Sequence, residues 1–137
     1  MVDVTVTATE VLDASDTTVI AGHFGEAVTA GQTVYLKASD GLYWLADADA
    51  SADTAAAKGI AMNGGAAGQP CEVGIGGTVD PGFTVTVGTI YVLSGTAGGI
   101  APVADLASGD YVTIVGVGIT ASSLKLLMIV SGVAVPA

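Results

Sequence analysis

The chain has 137 residues, enough for one domain around one core. Thirteen acids face three lysines and no arginine, a net charge of −10, so the basic stripe that nucleic acid binding needs is excluded. The apolar share is 51%, the charged share only 12% and the mean hydropathy +0.71, so some apolar surface is expected to be buried between subunits.

The first ten residues, MVDVTVTATE, lack the basic start and apolar core of a signal peptide. They alternate instead. Val2, Val4, Val6 and Ala8 point one way, and Asp3, Thr5, Thr7 and Thr9 the other, which is the period of a strand with one buried face. Asp13, Ser15 and Asp16 break the pattern, and Thr17 to Ile20 resume β-branched residues. Residues 1–20 therefore read as an N-terminal strand or arm, and 21–137 as the body.

Within the body, Ala30-Gly31 suits a turn with positive φ, and Thr33 to Leu36 form a strand. Asp40-Gly41 is a hairpin signal, after which Leu42 to Leu45 return with Tyr43 and the only tryptophan, Trp44. Residues 47–58 change character. Ser51 caps an expected brief helix over 52–57, with Lys58 at its negative end and Gly59 stopping it.

Strands dominate thereafter. Cys71, Val73 and Ile75 alternate with Glu72, Gly74 and Gly76, and Phe83, Val85 and Val87 with Thr84 and Thr86. Thr89 to Leu93, Tyr111 to Val117 and Leu124 to Val130 are apolar runs of the kind found in strands covered on both faces. In the last run Leu126 and Met128 share one face, and Leu127 and Ile129 the other. Gly116, Gly118, Lys125 and Ser131 keep this region short of the roughly 18 to 20 clean apolar residues of a membrane helix, so no membrane partner is expected. Pro81-Gly82 and Gly98-Gly99 mark turns. The class is all-β: a compact barrel or sandwich with at most one short helix.

A repeat runs through it. VTAGQTVYL at 28–36 aligns with VTVGTIYVL at 85–93, which matches Gly31 to Gly88. The same offset matches Gly59-Ile60 to Gly116-Val117. With a small deletion, VGIGGTV at 73–79 matches MIVSGVAV at 128–135. Two related units, about 21–79 and 80–137, are expected to complete one body by pseudo-twofold packing. A solenoid needs at least three units.

Catalytic patterns are missing from the sequence. His23 is the only histidine and Cys71 the only cysteine, too few for a multi-ligand zinc site. No serine sits in G-x-S-x-G, and no glycine run has a phosphate-loop lysine. Asp47, Asp49, Ser51 and Asp53 begin like a calcium loop. The sixth position is then Ala52 rather than glycine, and the twelfth Lys58 rather than a bidentate glutamate. The expectation is no catalytic residue, no metal, no cofactor and no enzyme activity. Contact residues are expected instead. Leu124, Leu126 and Met128 are placed in a core or subunit interface, and Val2, Val4 and Val6 in an arm that adds a strand to a neighbour.

The phrases GEAVTAGQTVYLKASDG, LADAD, AAAKGIAMN and AAGQPCEV, followed by YVLSGTAGGIAP, GDYVTIVGVGIT and a closing SGV, resemble capsid decoration (cement) proteins of tailed bacteriophages over about residues 20–134. The resemblance implies a β-rich protein, often a trimer, on the outer surface of the expanded virion shell. There it bridges capsomers of the major capsid protein. It carries over no functional residue. Related modules occur in head fibres and tails, and on that alternative Tyr43 and Trp44 stack on host glycans.

Overall fold

Ten strands and two single 3-10 turns, Ala8–Glu10 and Val103–Asp105, form the regular backbone of residues 3–136, the residues described by the computed structural model. The strands are β1 (Val11–Asp13), β2 (Thr18–His23), β3 (Thr33–Leu36), β4 (Tyr43–Leu45), β5 (Gly59–Ala61), β6 (Pro70–Pro81), β7 (Ile90–Leu93), β8 (Ile100–Pro102), β9 (Tyr111–Thr120) and β10 (Ser123–Ala134). The protein is all-β, with its sheet curled into a half-barrel. The strand path is β4-β3-β5-β6-β10-β9-β7-β8, and β1 and β2 add to β6.

That path reads the same from both ends. The order β4-β3-β5-β6 is answered by β8-β7-β9-β10. Registers agree as well. Val34 faces Leu45 on β4 as Tyr91 faces Pro102 on β8, and Thr33 faces Ile60 as Ile90 faces Val117. Gly31 donates its N–H to Ala61 at 2.8 Å, and Gly88 donates to Gly118 at 2.8 Å. Both glycines need positive φ, 93° and 81°, to turn the chain into the strand that follows. The last strands differ from the motif match. Ala61 faces Val73, and Gly118 faces Leu124. Residues 73–79 therefore correspond to 124–130, not to 128–135. The backbone puts Met128 in the place of Gly77, and both have positive φ, 47° and 76°.

The alternating residues of β6 behave as their period dictates: Cys71 and Val73 are buried and Glu72 is exposed. Three apolar clusters fill the fold. The largest joins Ile60 of the first unit to Val79, Phe83, Val85, Tyr91, Ile100, Val115, Leu124 and Leu126. Phe83 and Tyr91 meet edge-on, with ring centroids 5.2 Å apart. A second cluster gathers Phe24, Val28, Val34, Tyr43, Ala61, Cys71 and Val73. The third packs Ala46, Ala48, Ala55 and Ala57 around Leu93.

That third cluster explains why 52–57 is no helix. Ser51 does cap a turn: its hydroxyl accepts the Thr54 N–H at 3.2 Å, and its carbonyl accepts the Ala55 N–H at 3.1 Å. One turn later the chain extends. Ala55 and Ala57 are buried while Ala56 and Lys58 are exposed, the period of a strand. Lys58 donates its N–H to Val34 at 2.8 Å, and the Thr113 hydroxyl donates to the Ala55 carbonyl. Burial of alternate alanines under Leu93 overrides an intrinsic preference that cannot hold so short a helix alone.

Residues 3–7 run over the second unit as a strap. Val4 donates its N–H to Ile100 at 2.9 Å and Thr7 to Gly82 at 2.8 Å. The Ser94 hydroxyl donates to the Asp3 carboxylate at 2.5 Å. β1 then pairs with β6 at Val79–Pro81, and β2 with β6 at Pro70–Gly76.

Candidate functional site

The contact residues expected from sequence fall in three places. Leu124 and Leu126 are buried in the main core on the inner face of β10. Met128 is half-buried and touches both the main core and the alanine cluster. Val4 and Val6 pack on the main core of their own chain, beneath the strap. Val2 lies outside the described residues. The described part of the arm is therefore engaged within its own chain, along its backbone and through its valines.

A different surface is open. Ile90 on β7, Val117 on β9 and Lys125 on β10 stand opposite one another on the outer face of the second unit. Ile119 on β9 and Leu127 on β10 follow Val117 and Lys125 by two residues in opposite directions, each at a register shift, and Ile129 faces Ile114. Ile119 is 43%, Leu127 40%, Ile129 52% and Val133 65% exposed. β10 is thus covered on its inner face only, and not on both faces as expected for the apolar run Leu124 to Val130. The run misleads because a bulge between Leu126 and Ile129, with Met128 at positive φ, interrupts the alternation. Sequence pattern alone could not separate an apolar strand buried on both faces from one whose outer face is left bare.

Three other features were singled out by residue type. His23 is exposed and borders an open groove of about 740 Å³ with Asn63, Cys71 and Glu72. The Cys71 thiol is buried, and burial pushes its pKa up. The Asp47–Asp53 stretch makes local turns: Asp47 accepts the Asp49 N–H at 3.1 Å. Burial, then the hydrogen bond and charge of Asp49, raise the Asp47 pKa. Among the described residues no group of three His, Cys, Asp or Glu side chains is arranged to hold a metal ion.

The aromatic pair offers little to a sugar. Tyr43 is buried beside Gly22 and Cys71. Trp44 carries the Lys37 ammonium over its ring at 4.6 Å from the centroid, donates its Nε1–H to Asp40 at 3.0 Å, and packs against Gly25. Its ring is engaged within the chain.

A scan against protein-family models finds no match, and a search of curated proteins finds none either. No helix among the described residues is long and apolar enough to cross a membrane.

Proposed function

We propose that this chain is a structural protein of a tailed-phage virion, a homotrimer that decorates the outer capsid and bridges neighbouring capsomers of the major capsid protein. The observation that carries the reading is the bare apolar face of β7, β9 and β10. Isolated apolar residues are ordinary on a surface, whereas a contiguous set across three strands marks an interaction site. The decoration-protein motifs of residues 20–134 point the same way. The net charge of −10 is consistent with it, since like charge disfavours non-specific association of the free protein.

On this reading the work is mechanical. Each contact is weak, and repetition over a lattice supplies the avidity. The test adds purified chain to expanded shells that lack it and measures co-sedimentation and the temperature at which the shells open. Saturation at a fixed ratio to the major capsid protein, with a raised opening temperature, is the expected result. Failure to pellet with shells at any concentration would contradict it.

A further inference from the structure

Asn63 is the only asparagine of the chain, and Gly64 and Gly65 follow it. It stands just after β5, in the loop that leads to β6. It borders the open groove shared with His23 and Glu72, so water reaches it. Asparagine is a thermolabile residue, because the backbone nitrogen that follows it can attack its side-chain amide carbon. A side chain on the following residue hinders that attack, and glycine has none.

The fold leaves the attack open. The Gly64 N–H donates to no group among the described residues, whereas the Gly65 N–H is held by the Val28 carbonyl at 2.9 Å. The Asn63 Oδ1 accepts the Glu72 N–H at 2.7 Å. Ring closure on the amide carbon develops negative charge on that oxygen, and a donor already aimed at it stabilises the charge. The Nδ2 donates to the Pro70 carbonyl at 3.1 Å and lies 3.4 Å from the Gly64 carbonyl, so the amide lies alongside the residue that follows it. Of these contacts, the Nδ2 bond to Pro70 is the one that opposes the reaction, because it must break as the nitrogen leaves.

We propose that Asn63 is a site of self-modification, closing on Gly64 to a cyclic imide that opens to aspartate or isoaspartate. Hydroxide takes the Gly64 N–H proton, and the nitrogen bonds to the Asn63 Cγ. The Cγ–Nδ2 bond breaks, and Nδ2 takes a proton from water and leaves as ammonia, which returns the hydroxide. Water then opens the imide. Addition at Cγ restores the backbone and leaves aspartate at position 63. Addition at the backbone carbonyl carbon leaves the chain running through the side chain, as isoaspartate. The change reaches β6. In the aspartate form an oxygen replaces the donor to Pro70, so two acceptors face each other, and the loop loses its tie to the first residue of that strand.

The test incubates the full chain, folded in buffer and unfolded in guanidinium chloride, at neutral and mildly alkaline pH. Peptide mapping follows residue 63, and enzymatic methylation detects isoaspartate. The folded chain should convert within about ten-fold of the unfolded rate, since breaking the one bond to Pro70 adds no more than that to the barrier. Conversion should be faster at the higher pH, with isoaspartate among the products. Gly64→Ala should slow it in both states. An amide that stays intact in the folded chain while the unfolded chain converts would overturn the proposal. So would aspartate without isoaspartate, which is the product of direct hydrolysis. A Cβ at position 64 would lie 3.2 Å from the Val28 carbonyl oxygen. Should that variant not fold, the wild-type comparison decides alone.

Discussion

Single residues show where this fold is strained. Thr33 is fully buried, and its hydroxyl has no partner among the described residues. Its counterpart in the second unit is Ile90, so nothing in the repeat demands a hydroxyl there. Thr33→Val should raise stability by about 1 kcal/mol in chemical denaturation, because a desolvated unpaired hydroxyl is replaced by a methyl of like shape. Gly77 is the opposite case. Its φ is 76°, and a Cβ there would run into the Asp16 carbonyl. Gly77→Ala should cost more than about 2 kcal/mol, strain and clash together. Met128 occupies the same place in the second unit and also has positive φ, 47°. Two aspartates predict opposite pH behaviour. The Thr78 hydroxyl bonded to Asp16 lowers its pKa below the ordinary 3.8. That contribution is present above about pH 4 and is lost as pH falls through the lowered value, so Thr78→Val should narrow the neutral-to-acid difference in melting temperature. Asp47, raised by burial and by Asp49, opposes folding when ionised. Asp47→Asn should melt higher than wild type at pH 7, and the gain should shrink as pH falls below the raised value. An equal gain at all pH values would contradict that account.

At the level of elements, strands were readable where side chains alternate and misread where they do not. β6 and the β3–β4 hairpin follow from period two and from Asp40-Gly41. β10 did not, because a bulge at Met128 turns one apolar run into a buried half and an exposed half. The alanine-rich stretch after Ser51 has a correct cap and the wrong continuation, since long-range burial under Leu93 decided it. The strap was legible as an extended segment, but its direction was not. Nothing local tells Val4 and Val6 to fold back on their own core. Leu124 lies at the junction of β6, β9 and β10 and is fully buried. Leu124→Ala should therefore cost about 3 to 5 kcal/mol in denaturant unfolding, the range for a leucine in a tightly packed site. A loss under about 1 kcal/mol would mean that this junction is loosely packed.

For the whole molecule, strand order and register agree across the offset between VTAGQTVYL and VTVGTIYVL. The candidate surface was less visible, because covering one unit and baring the other is a property of their packing and not of either motif. High apolar content and low charge gave the only signal of it. The proposed lattice-wide role of this surface is tested by the copy number of the chain, by quantitative mass spectrometry, in particles purified from its source. The expected count is comparable to that of the major shell subunit. A handful of copies per particle would contradict the lattice-wide role and point to a fibre or tail part, and absence from particles would contradict the virion reading altogether.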